Sequence, residues 1–143
     1  MKKTIVTTSA AATAKEGAKL ARSLKTGRVI ALEGNLGAGK TVFVKGFAEG
    51  LGVKAMVQSP TFVLMRVYDV LSKKITRMAH VDCYRLSGPH ELYDIGVADY
   101  IADPESVVLI EWAHKVRKFI PDNAIWVTLE HTGETTRKVT IDE

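Results

Sequence analysis

Cysteine is nearly missing, with Cys83 the one thiol in 143 residues. No intrachain disulfide and no multi-cysteine metal site can be built from it, which suits a reducing cytosol. Long apolar runs are missing too: none approaches the ~20 residues that span a bilayer. The lysine-led start "MKKTIVTTSAAATAKEG" is broken by four threonines and a serine, so it reads as a strand and a helix start, not a secretory leader. His80, His90, His114 and His131 have no metal-ligand spacing, so no zinc is assigned. Nothing repeats, and no low-complexity linker divides the chain. The composition, 46% hydrophobic and 25% charged, is that of a soluble globular protein. The length suits a single domain over residues 1–143, since a chain of this size buries roughly 68–70% of its unfolded surface.

Twenty Lys and Arg against sixteen Asp and Glu leave a formal charge of +4. Such an excess favours phosphorylated ligands or RNA through long-range attraction. A solvated surface explains it equally well, because "KK" at 2–3 and 73–74 are the only adjacent basic pairs besides "RK", and no basic helix is present.

"KKTIVTT" reads as a short strand. In "SAAATAKEGAKLARSLKTG", Ser9 is a candidate N-cap, Ala14, Gly17, Ala18, Ala21 and Leu24 form a small, apolar stripe, and Gly27 is a stop, together a helix. "RVIALEG" is continuous and β-branched, the pattern of a strand buried on both faces. Further on, Phe43, Phe47 and Leu51 recur every four residues with Val44 and Ala48 beside them, which predicts a helix ended near Gly50 or Gly52. "TFVLMRVYDV" and "ITRMAHVDCYRL" follow as strands around the turn-like "LSKK". "SGPHELYDIGVADYIAD" predicts one or two short helices broken at Gly96, with Ser87 as cap and Pro89 near the first turn. "SVVLIEW" is the second continuous apolar strand, and "AIWVTLEHTGETTRKVTIDE" alternates around a Thr-Gly turn as a hairpin does. The expected fold class is α/β, with a mostly parallel central sheet and antiparallel edge strands or a hairpin; the loop "GNLGAGKT", which fits G-x-x-x-x-G-K-[ST] between "RVIALE" and the next helix, makes the expectation a three-layer, P-loop NTPase-like fold.

Chemistry concentrates in "GNLGAGKT". Gly34, Gly39, Lys40 and Thr41 fit G-x-x-x-x-G-K-[ST] at a strand-to-helix junction, where the pattern has physical meaning. Glycines let backbone N–H groups approach phosphate oxygens closely, and the helix start adds unpaired N–H groups and a positive dipole end. Asn35, Leu36, Gly37, Ala38, Gly39, Lys40, Thr41 and Val42 are therefore candidate nucleotide contacts, with Lys40 between β- and γ-phosphates and Thr41 on magnesium. P-loop proteins add an acidic group at the end of a second buried strand; here that group is Glu111, although a solvated strand-end glutamate is the plainer alternative.

Strand periodicity puts His80, Asp82 and Tyr84 on one face and Ala79, Val81 and Cys83 on the other. Asp82 is then either a group that orients or deprotonates water, or part of the polar outer face of an edge strand. Thr61 in "QSPTF" could sense a γ-phosphate or simply belong to a turn. Arg85 could stabilise transferred charge or pair with a carboxylate. Trp112 is a packing residue by type but adjoins Glu111.

Taken in order and spacing, "GNLGAGKT", "SPTF", "HVDCYRL" and "IEW" resemble the TsaE family, also called YjeE, small bacterial P-loop ATPases needed for threonylcarbamoyladenosine formation on tRNA. The resemblance implies that Lys40 and Thr41 bind ATP phosphates and Mg2+, that Glu111 is a metal ligand and that Asp82 is essential for hydrolysis. It further implies that Thr61 lies in a switch-like loop, that Trp112 flanks the nucleotide and that TsaD and TsaB are partners in a cytoplasmic assembly, with tRNA contacted indirectly. Asn35 replaces a frequent Asp, and Val42 replaces a second Thr that commonly touches the α-phosphate. The expected function is a slow magnesium-dependent ATPase; a small-molecule kinase, in which Asp82 would activate an acceptor hydroxyl, and a nucleotide-responsive binding module are the alternatives. No N-K-x-D guanine-reading motif is present.

Overall fold

A computed structural model describes residues 2–35, 37–58 and 64–143. Its elements run β1 (Lys2–Thr7), α1 (Ala10–Ser23), β2 (Val29–Glu33), α2 (Lys40–Leu51), β3 (Met65–Asp69), β4 (Arg77–Asp82), α3 (His90–Asp94), α4 (Val97–Ala102), β5 (Ser106–Glu111), a 3-10 segment (Ala113–Phe119), β6 (Ile125–His131) and β7 (Arg137–Asp142). Among the described residues seven strands form one sheet in the order β1-β7-β6-β2-β5-β4-β3. The inner four, β6, β2, β5 and β4, are mutually parallel. Antiparallel strands finish both sides, β7 and β1 on one and β3 on the other.

The continuous apolar runs belong at the centre because they feed two cores. Ile30 and Leu32 of β2 and Val107 and Leu109 of β5 face one layer with Leu20, Phe43 and Phe47 from α1 and α2. Their neighbours Val29, Ala31, Val108 and Ile110 face a second layer with Leu92, Val97, Ala113 and Val116. Alternating side chains with both faces covered produce an unbroken hydrophobic sequence, and the result is the expected three-layer α/β architecture. No described helix is long and apolar enough to cross a membrane.

Helix α1 starts as its sequence implies: the Ser9 side chain accepts the Ala12 N–H at 3.1 Å. It ends at Ser23, about one turn before Gly27, because Leu24 turns extended and packs against the core. Gly27 instead donates its N–H to Pro104 O at 2.7 Å, tying the connection to the start of β5. Ser87 is not the cap of α3; Pro89 precedes that helix. The Glu91 carboxylate reaches back to accept both the Ser87 N–H (2.9 Å) and the Ser87 hydroxyl (2.5 Å), which fixes the chain ahead of the helix. The 3-10 segment after β5 has no counterpart in the predicted elements.

Helices α1 and α2 meet backbone to backbone. A Cβ on Gly46 would overlap the Ala14 carbonyl, and one on Gly17 would overlap that of Phe43. The small-residue stripe of α1 thus allows α2 to lie close enough for its first turn to be placed by packing.

Two outcomes follow from this packing. Gly46→Ala forces the helices apart, and overpacking of this kind costs about 1–3 kcal/mol, a fall of roughly 3–12 °C in melting temperature for a chain this long; an unchanged melting temperature would contradict the close contact. Cys83 is buried, and burial, aided by the Asp82 charge, pushes its thiol up to about 12. Since the thiolate is the reactive form, a disulfide reagent at neutral pH should label Cys83 only as fast as the protein unfolds, and rapid labelling of the folded chain would be the contrary result.

Candidate functional site

Parallel strands deliver their carboxyl ends to one edge of the sheet, where open α/β sheets bind ligands. Here β2 ends in Glu33 and runs into the glycine loop, β4 ends in Asp82, and β5 ends in Glu111 followed by Trp112. Asp82 and Glu111 are Cα partners in the β4–β5 register, so the two carboxylates sit side by side.

The loop after β2 uses its glycines for backbone shape. Gly37 has φ 82° and Gly39 has φ 97°, a region that L side chains rarely adopt. Gly39 is the N-cap of α2, with no side-chain cap, so the first N–H groups of that helix lack an intrahelical partner. Asn35 O accepts the Ala38 N–H at 3.0 Å and Gly39 O accepts the Phe43 N–H at 2.9 Å. Asn35 is exposed and Ala38 is buried. Leu36 and Thr61 lie outside the described residues.

A cleft of about 450 Å³ brings together Gly37, Gly39, Lys40, Thr41 and Val42 with Asp82, Glu111 and Trp112. Lys40 is only 6% exposed, and its Nζ has no hydrogen-bond partner among the described residues. The ammonium instead lies 3.8 Å from the centroid of the Trp112 ring, a cation–π geometry. Burial lowers the Lys40 pKa from its ordinary value, while Glu111, Asp82 and Glu33 act in the opposite direction. Trp112 holds this place with a left-handed backbone, φ 58°, and its ring packs against Tyr84 at 5.0 Å. Strain at a non-glycine residue in this region persists only where the surroundings impose it.

The three carboxylates around Lys40 are each pinned by a neighbouring N–H. Glu33 accepts the His114 backbone N–H through Oε1 and contacts His114 Nδ1 through Oε2 at 2.6 Å. Asp82 Oδ1 accepts the Tyr84 N–H at 2.9 Å. Glu111 Oε2 lies 2.6 Å from His80 Nε2, and both side chains are buried. The edge-strand alternative for Asp82 fails: β3 is the edge, β4 lies between β3 and β5, and Asp82 is 7% exposed. Tyr84 falls beyond the end of β4 in a turn, not on the strand face with His80 and Asp82.

The residues present fit a magnesium nucleotide. An ammonium buried without a hydrogen-bond partner among the described residues faces a cleft floored by a helix N-terminus, a combination whose chemistry suits an anion such as phosphate. No group of three or more His, Cys, Asp or Glu among the described residues could hold a metal by itself. A site of one hydroxyl, Thr41, with Glu111 and Asp82 nearby suits an ion that takes its remaining oxygens from phosphate and water.

Arg137 also lines the cleft, and residue spacing had not singled it out. It starts β7 and reaches Gly39 because β6 lies beside β2; its Nη1 donates to Gly133 O at 3.1 Å and Thr136 O at 2.8 Å. Arg85 is exposed and does not border the cleft. His80 and His114 were likewise missed, since their roles depend on contacts with Glu111 and Glu33 across strands.

The family model described as "Threonylcarbamoyl adenosine biosynthesis protein TsaE" matches residues 7–139. The tRNA threonylcarbamoyladenosine biosynthesis protein TsaE of Bacillus subtilis is 39% identical over 81% of this chain and 70% of its own length. The protein of the same name from Treponema pallidum is 37% identical over 95% of this chain and 97% of its own. The crystal structure of YdiB from Bacillus subtilis superposes with a TM-score of 0.80 at 30% identity, covering 99% of this chain and 84% of that one.

Proposed function

The chain belongs to the TsaE family of threonylcarbamoyl adenosine biosynthesis proteins, and we propose that it is a magnesium-dependent ATPase that supports turnover of the TsaD–TsaB threonylcarbamoyl transfer assembly acting on tRNA. The observation that carries the ATPase part is Lys40: a buried ammonium with no hydrogen-bond partner among the described residues, in a cleft shared with Thr41, Asp82 and Glu111. Tying the activity to the assembly rests on family membership.

In this reading the loop N–H groups and Lys40 would hold the phosphates, and Thr41 and Glu111 would hold magnesium. Bound there, magnesium would supply charge neutralisation to the phosphates. Asp82, oriented by the Tyr84 N–H, positions the attacking water and accepts its proton. Trp112 covers the phosphate end, giving up its contact with the Lys40 ammonium to the incoming anion. The nucleoside end is assigned to the neighbouring hollow of about 270 Å³, lined by Thr8, Ser9, Ala10 and Thr13, which shares Gly39, Val42 and Arg137 with the cleft. Val42 offers no hydroxyl to an α-phosphate, so that contact falls to backbone N–H groups.

Arginine fingers contribute about 10³–10⁵ in rate. Arg137 is bound to its own hairpin, so hydrolysis by the isolated chain should be slow and should rise when partners bind.

Phosphate release from magnesium-ATP by the pure protein, with and without TsaB, TsaD and tRNA, tests this. Release should be slow alone and stimulated in the mixture. Lys40→Ala should weaken nucleotide binding by about 10–100-fold, the loss of a charge-assisted contact. Asp82→Ala should keep binding and lower release by about 10²–10⁴-fold. Nucleotide binding with no release in any mixture would replace the ATPase reading with that of a binding module.

A further inference from the structure

His80 occupies a place where an imidazole is hard to justify by packing. It points from β4 to the same side of the sheet as Met78, toward α2, and is 3% exposed. Its Nδ1 has no hydrogen-bond partner among the described residues. A leucine or methionine would fill this site without leaving a buried nitrogen unpaired, and such an unpaired group calls for an explanation. The imidazole's polar contact is Nε2 to Glu111 Oε2 at 2.6 Å.

The strand register brings the two side chains together. His80 is the Cα partner of Leu109 across the parallel β4–β5 pair, so Glu111, two residues further along β5, shares its face of the sheet. Around the pair, among Thr41, Val44, Lys45, Val57 and Gln58, about 10 Å³ remains open.

We infer that His80 is a positioning residue for magnesium: Nε2–H holds Glu111 Oε2 and thereby presents the rest of the carboxylate to the ion beside Thr41. Acidic ligands whose other oxygen is hydrogen-bonded are fixed in direction, and removing such outer partners typically costs 10–100-fold in metal affinity. This inference rests on the proposal that Glu111 is a magnesium ligand. His80 itself touches neither metal nor nucleotide.

The test is a magnesium titration of the binding of a fluorescent ATP analogue, repeated in EDTA, with circular dichroism to confirm folding. His80→Leu should raise the magnesium concentration needed for half-effect by about 10–100-fold while leaving nucleotide affinity in EDTA at the wild-type value. His80→Gln, whose side-chain amide can donate from a similar position, should restore most of the loss. In a Glu111→Gln background, His80→Leu should add little, because the shared effect is already gone. Folded His80→Leu with wild-type magnesium dependence overturns the inference while leaving the ATPase reading intact. Failure of both His80→Leu and His80→Met to fold would assign the imidazole a structural role and overturn it too. A wild-type protein indifferent to magnesium removes the metal reading, and this inference with it.

Discussion

Backbone contact between α1 and α2 governs where everything else at the cleft can be. With no side chain at Gly46 or Gly17, the two helices approach until main-chain atoms touch. Close packing leaves few ways to shift such an interface without strain. The start of α2 is thereby set relative to β2, on whose end the glycine loop hangs, and Phe43 N–H bonds Gly39 O within that first turn. A run of alanines and a glycine in the first helix thus helps to place the glycine loop, although none of Ala14, Gly17 or Ala18 borders the cleft.

Charge is arranged around this fixed point with the same economy. One buried ammonium faces three carboxylates, and each carboxylate is oriented by a nitrogen from another residue: His114 for Glu33, Tyr84 for Asp82, His80 for Glu111. Groups held in place before a ligand arrives need not reorganise when it does, and such preorganisation is the main source of electrostatic catalysis. Trp112 completes the arrangement. Its aromatic face takes the ammonium for which the described residues offer no hydrogen-bond acceptor, and Lys115 Nζ, which donates to Tyr84 O, ties the 3-10 segment to the turn beneath the ring.

Much of this was legible in the residues. Continuous apolar runs marked β2 and β5, and their unbroken character followed from two cores rather than one. The glycine loop was legible because its chemistry is local: eight consecutive residues carry the donors, the cation and the hydroxyl. What escaped depends on long-range neighbours. Nothing in "HVDCYRL" says that His80 meets Glu111, because that pairing requires β4 and β5 to be parallel and adjacent. Arg137 reaches the loop only because β6 lies beside β2. Gly27 misled for a different reason: Leu24 gains more by turning into the core than by extending the helix another turn, a tertiary effect that overrides the local stop signal. The two faces of β4 were correctly separated up to Asp82, and the strand's end there removed Tyr84 from the pattern.

The sheet order also has a consequence for how the chain comes together. Strand β1 is synthesised before the other described elements, yet its strand partner is β7, the last of these. Bringing those segments together closes a loop of almost the whole sequence, and pairings of such long separation form slowly. Until then β1 lacks its strand partner, and unpaired strand-forming segments invite association with another chain. It begins with Lys2 and Lys3, both exposed in the finished fold. Repulsion between those lysines on neighbouring nascent chains would keep the waiting strand from finding the wrong partner.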